Sequence, residues 1–226
     1  MQAPGLVHDD VDFLSLLSDA NRRRFLEGST KDVYAAGTVV FRPDGAFRAF
    51  LLERGLVRAY TTVPDGRQAS VTFFHARELV GGTTIVSHPP RILVQVVVKS
   101  TMTALDLDAV RSLVATENQV LAAVTEHLAS RIRNAYRLIA VRSLGNVTQR
   151  LAYDLLERAC RSQLELGRLE ARATHAELAD SIGSSREVVS RALSALRAAG
   201  IVETAPGIVR VLEPVGLAEI VRAFAL

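Results

Sequence analysis

The chain has 226 residues, of which 49% are hydrophobic and 23% charged, with a formal net charge of +3 and a single cysteine. That length and balance exclude a disordered chain and suffice for two modest domains with separate cores. Cys160 alone excludes an internal disulfide and any all-cysteine zinc or iron–sulfur site.

The first residues carry Asp9, Asp10 and Asp12 instead of a basic start followed by an apolar run, and no stretch reaches the ~20 apolar residues of a membrane span. The expectation is a cytoplasmic chain without membrane contact. A helix is expected over residues 11–27. From 33 to about 107, short β-branched and aromatic runs alternate with Gly, Pro and Asp. They read as strands at Val39–Phe41, 50–52, 56–60, 70–74, 93–98 and 101–105. Pro64-Asp65-Gly66 marks a hairpin turn, because proline presets φ and glycine accepts a left-handed conformation. The first half is therefore expected to be an antiparallel β barrel or roll.

The period then changes. Leu121, Thr125, Leu128, Ile132, Ala135 and Ile139 recur at alternating steps of four and three, the seam spacing of two associating helices. The seam is either a dimer contact or the face of an amphipathic helix lying on the barrel. Leu138 and Val141 lie off it and are free to pack on the barrel. Gly145-Asn146 breaks the run before a new helix over residues 147–160. The expected domains are a sensor at 1–115, a central helix at 116–144 and a C-terminal domain at 145–226.

Thr174-His175-Ala176-Glu177 is a capping box, in which the threonine hydroxyl and the glutamate carboxylate each satisfy an orphan amide at a helix start. Ala179, Gly183 and Val189 then supply a close helix crossing, a turn residue with positive φ and a buried contact between helices. Leu178, Ile182 and Leu193 complete a small core. Ser185 caps a second helix whose first turns carry Arg186, Glu187 and Arg191. Arginine forks pair with O6 and N7 of guanine, and a carboxylate accepts from N4 of cytosine in the major groove. These three side chains are either base readers or a solvated charged face, and the packing signature before them favours reading. Ser185, Ser190 and Thr174 are assigned to phosphates. Residues 201–204 and 208–211 around Ala205-Pro206-Gly207 are expected to form a two-stranded wing.

Over nearly its whole length the chain resembles the cyclic-AMP receptor protein and fumarate–nitrate reductase regulator family of bacteria. Ser185-Arg186-Glu187-Val188-Val189-Ser190-Arg191 is similar to that family's recognition helix. Ala36-Gly37-Thr38-Val39-Val40-Phe41, Leu52-Glu53-Arg54-Gly55-Leu56-Val57-Arg58-Ala59-Tyr60 and Asp65-Gly66-Arg67 are similar to its cyclic-nucleotide-binding β roll. The resemblance implies an α+β protein with a β-roll sensor, a long dimerisation helix and a C-terminal winged helix-turn-helix. It further implies a homodimer on a near-palindromic operator with half-sites about one helical turn apart and similar to TGTGA, with RNA polymerase as a further partner. Ligand-driven movement of the central helices would reset the spacing of the recognition helices.

In the pocket the resemblance thins. Gly82 stands where cyclic-AMP-binding members place a glutamate for the ribose, Arg91 lacks the following serine of the phosphate pair, and Ala135-Tyr136 replaces the Thr-Ser pair at the base. The expectation is an effector other than cyclic AMP, or activity without one. Gly81 and Gly82 with Thr83 and Thr84 form either a small anion nest or a plain turn. Tyr136 either closes the pocket or packs on apolar neighbours. His75, His88 and His127 lack the spacing of a haem or metal site, so no metal is assigned, and Cys160 is expected to be a small buried residue. A rival reading, a ligand-binding or enzymatic barrel, finds no P-loop, activated nucleophile or HExxH run to name a reaction.

Overall fold

The computed structural model describes residues 12–46, 48–63, 68–88 and 91–224. The expected N-terminal helix is two pieces, a 3-10 turn Phe13–Leu16 and helix α1, Asp19–Phe25. Ser18 divides them: it sits in extended backbone and its hydroxyl accepts from the Asn21 amide, so a new helix starts there. Residue 11 lies outside the described residues. Eight strands follow: β1 (Thr30–Tyr34), β2 (Val39–Phe41), β3 (Phe50–Arg54), β4 (Val57–Thr62), β5 (Gln68–Phe74), β6 (Leu79–Val80), β7 (Leu93–Val96) and β8 (Ser100–Ala104). A single helical turn α2 (Thr83–Val86) lies between β6 and β7.

The strands form two antiparallel four-stranded sheets, in the orders β1-β8-β3-β6 and β2-β7-β4-β5. Phe50, Leu52, Val80 and Met102 from the first meet Phe41, Val57, Ala59, Phe74, Val94 and Val96 from the second in one apolar core. This is the expected roll, closed face to face because each sheet buries alternate residues. Strand β1 escaped the sequence reading since it is an edge strand with mostly exposed, polar residues. The turn at Pro64-Asp65-Gly66, like Arg67, lies outside the described residues, while Thr62 pairs with Gln68 on either side of it.

Helix α3 (Leu107–Thr116) is capped by Asp106 and packs with α1 on the start of α4, Asn118–Leu144, through Phe13, Phe25, Val110, Leu113 and Val124. Glu117 separates α3 from α4 in extended backbone, so the long helix begins at 118. Its 27 residues span about 40 Å. Leu138 and Val141 are buried against the C-terminal half. Helix α5 (Val147–Leu166) starts in a capping box of Asn146 and Gln149 and ends at Gly167.

Then come β9 (Glu170–Arg172), α6 (His175–Ile182), α7 (Arg186–Ala198), β10 (Val202–Ala205), β11 (Ile208–Val211) and α8 (Pro214–Arg222). The wing is three-stranded, a correction to the expected pair: β9 joins in the order β10-β11-β9, with Val209 opposite Ala171. The C-terminal core is continuous with Leu56, Phe73 and Val97 of the roll. Polar contacts reinforce this docking. Gln163 on α5 donates to the Val97 carbonyl (2.8 Å), Gln95 donates to Gln163 (2.9 Å), and the Glu157 carboxylate accepts from the Ser70 amide (3.1 Å). Arg58 is fully buried at this junction, donating to Gln95 and Gln68 at 2.7 Å each, with its guanidinium 4.3 Å from the Tyr60 ring centre.

Candidate DNA-reading surface and effector cavity

The helix-turn-helix assembles from local signals. At the start of α6 the Thr174 hydroxyl accepts from the Glu177 amide (3.2 Å), and the Thr174 amide donates back to the carboxylate (2.7 Å). The Thr174 hydroxyl also donates its proton to Glu177 (2.9 Å), so it has none left for a phosphate while the box is closed. Glu177 is held below the usual carboxylate range by these contacts, the Thr174 amide first. Gly183 takes φ +60°, the left-handed turn that the motif requires. Leu178, Ala179, Ile182, Val189 and Leu193 are all buried.

Ser185 caps α7 by accepting from the Val188 amide (3.3 Å). Val189, Leu193 and Leu196 fix one face of α7 inside, which turns Arg186, Glu187 and Arg191 outward, all exposed. Among the described residues neither arginine has a hydrogen-bond or ion-pair partner; the nearby charge is the Glu187 carboxylate. That carboxylate lies below its usual range because its own backbone amide and the Ser185 hydroxyl bind it. Ser190 is half-buried, and its hydroxyl is 2.8 Å from Nδ1 of His175, a cross-link between α6 and α7 that the sequence reading missed.

The second feature is a cavity of about 360 Å³ between the inner faces of the roll and α4. Gly81, Gly82, Thr83 and Thr84 line it, together with Phe41, Phe50 and Phe74, and with Leu128, Ile132 and Ala135 of α4. Arg91 and Tyr136 do not line it: both are exposed, Tyr136 to 61%. Tyr136 therefore neither closes the pocket nor packs among apolar neighbours, since its step along α4 carries it past the face that meets the roll. The Gly81-Gly82 pair makes a turn, and Thr84 donates its hydroxyl to the Gly81 carbonyl (2.7 Å). Gly81 has φ +81°, and a Cβ there would come 2.6 Å from the Arg48 carbonyl. A Cβ on Gly82 would come 3.1 Å from Cδ2 of His127.

Two buried groups beside the cavity were not legible as functional. Glu78, 2% exposed, accepts from both terminal nitrogens of Arg131 (2.8 and 2.9 Å) and lies 3.4 Å from Arg222 of α8. Burial holds the Arg222 pKa down to about 10, so it stays charged at neutral pH. A buried carboxylate behind Arg131 of the cavity wall thus ties α4 to the last helix. His127 is 1% exposed and lies edge-on to Phe13. Burial, then the Arg131 charge, lowers its pKa to about 3, opposed weakly by the nearby Leu79 backbone, and neither ring nitrogen has a well-formed hydrogen bond.

The histidines do not converge: His75 contacts Glu219 (3.1 Å), His88 is exposed and His127 is buried. Among the described residues no three His, Cys, Asp or Glu side chains form a group able to hold a metal ion. Cys160 is fully buried, which pushes its thiol up to about 12. Among the described residues no helix is long and apolar enough to cross a membrane.

On the α4 seam, Leu121, Ile132 and Ile139 are 44%, 54% and 66% exposed, Thr125 is exposed, and Leu128 and Ala135 are half-buried at the cavity.

Comparison with known proteins agrees with this architecture. Residues 31–117 match the cyclic nucleotide-binding domain and residues 149–220 the Crp-like helix-turn-helix domain. A cyclic AMP receptor protein of Thermus thermophilus is 30% identical over 223 residues, 98% of this chain and 96% of the relative. A CRP-like cAMP-activated global transcriptional regulator of Mycobacterium tuberculosis is 27% identical over 70% of this chain and 72% of the relative. A solved regulator of the crp/fnr family from Eubacterium rectale has the same fold, with TM-score 0.58 at 20% identity over 92% of this chain and 96% of that one. The relatives are transcription regulators, not enzymes. The chain belongs to the Crp-Fnr family of transcription regulators and carries that family's DNA-binding helix-turn-helix.

Proposed function

We propose that two copies of this chain bind a near-palindromic operator, with Arg186, Glu187 and Arg191 reading bases in the major groove. The observation that carries this reading is the leading end of α7, where two exposed arginines have no partner among the described residues while the opposite face is anchored in the core. Ser185, at the helix start, and Ser190, oriented by His175, are assigned to phosphates. Thr174 joins them only if its box opens.

The exposed apolar residues Leu121, Ile132 and Ile139 on α4 support pairing with a second copy through that helix. Two-fold symmetry then places half-sites about one helical turn apart. Sensor, central helix and DNA-binding domain are read as 1–115, 116–144 and 145–226. We assign the cavity lined by Gly81 to Thr84 to an effector other than cyclic AMP. Support comes from position 82, where glycine offers no side chain to a ribose and a Cβ would press on the His127 ring at 3.1 Å. RNA polymerase is the partner through which operator binding would act.

Selection from randomised duplexes should enrich a palindrome. On it, Arg186→Ala should cost roughly 1–3 kcal/mol and relax discrimination at one base pair. Equal loss on selected and random duplexes would make Arg186 a phosphate contact and refute the base-reading role.

A further inference from the structure

The wall of the cavity is apolar almost throughout, with Phe41, Phe50, Phe74, Ile92 and Val94 among its residues. Neither of its two arginines is a buried cation left free for an anion inside. Both terminal nitrogens of Arg131 are occupied by Glu78, with the guanidinium 5.4 Å from the Phe74 ring centre, and Arg48 is exposed to solvent. A buried phosphate needs a free cation and several donors. A cavity of about 360 Å³ lies at the lower end of small-molecule sites, which are mostly apolar with a few placed polar groups.

The placed polar group here is His127. Its ring forms part of the wall, and both nitrogens are buried without a hydrogen-bond partner of good geometry. An unsatisfied buried imidazole is a standing cost that a ligand can relieve. Gly82, itself in the cavity wall, lies against the ring edge, where a Cβ would sit 3.1 Å from Cδ2 and 3.5 Å from Nε2. We infer that the cavity takes a neutral, largely apolar small molecule carrying one hydroxyl group, and that this hydroxyl pairs with a ring nitrogen of His127. A hydroxyl suits either tautomer, because it donates to the bare nitrogen or accepts from N–H. This inference rests on the cavity being the effector site, and it names the chemistry of the effector.

The test uses the full chain and an isosteric pair of probes, benzyl alcohol and ethylbenzene, with cyclic AMP as the third ligand, read by titration calorimetry. Both aromatics should bind the native protein. In His127→Phe the affinity ratio of benzyl alcohol to ethylbenzene should fall about five-fold, the worth of one hydrogen bond, while ethylbenzene binding persists and reports an intact cavity. Gly82→Ala should weaken benzyl alcohol more than ethylbenzene, and cyclic AMP should displace neither. An unchanged ratio in His127→Phe overturns the pairing with His127. Binding of cyclic AMP in place of the aromatics overturns the ligand class and leaves the cavity as an effector site; failure of all three to bind overturns that reading as well.

Discussion

Replacing Glu78 by glutamine removes one charge from the contact that joins the roll, α4 and α8. The carboxylate is 2% exposed, and its two arginine partners are 12% and 11% exposed, so solvent screens neither pair well. Glutamine preserves the volume and one acceptor. It also takes the carboxylate from Arg131 and from Arg222, which keeps Glu219 at 3.5 Å, and turns an amide NH2 toward donors that cannot receive it. Breaking a buried pair by removing one partner costs about 3–5 kcal/mol. The exposed fraction of the arginines and the remaining acceptor bring the expectation to the lower end, about 3 kcal/mol. Urea denaturation of wild type, Glu78→Gln, Arg222→Met and the double variant gives both the cost and the coupling. The coupling between positions 78 and 222 should be about 1 kcal/mol or more, because they share one contact. Hydrogen exchange in α8 should rise in Glu78→Gln, since α8 loses a tether to the roll. A cost below about 0.5 kcal/mol, the range of a screened surface pair, would refute the claim that this triad holds the two domains together.

Three further outcomes follow from single residues. The His127 pKa falls from 6.5 unfolded to about 3 folded, so the unfolded chain binds a proton that the folded one rejects; the contribution is complete above pH 6.5 and declines as pH drops toward 3. Between pH 8 and pH 5 the loss should be about 2 kcal/mol in chemical denaturation, and His127→Phe should lack that component. Gly183→Ala meets no atom within 4 Å, so its cost is the left-handed backbone alone, about 1 kcal/mol, seen as a melting point lower by about 2–4 °C with operator binding retained. Ile139→Glu should weaken self-association at least about 100-fold by sedimentation equilibrium, because each copy would bury a carboxylate in the seam; an unaltered dimer would place the interface elsewhere.

The helix-turn-helix was legible because its signals act over a few residues. Thr174 and Glu177 close a box three positions apart, Gly183 makes the turn by its own backbone freedom, and Ser185 caps the next helix. Alternation of apolar residues likewise placed the strands that have a buried face, and failed at β1, whose exposed edge residues carry no such pattern. The cavity depended on contacts far apart in the chain. Glu78 meets Arg131 and Arg222, 53 and 144 positions away, and no local periodicity encodes such a meeting. Arg91 and Tyr136 were misplaced for the same reason: position in a motif says which element a residue occupies, while the packing of distant elements decides which way its side chain faces. The sequence by itself determined the helix-turn-helix and the order of the elements, through hydrogen bonds between near neighbours. Only the tertiary structure decided that a neutral imidazole and a paired arginine line the cavity, because burial and charge pairing arise when distant segments close on one another.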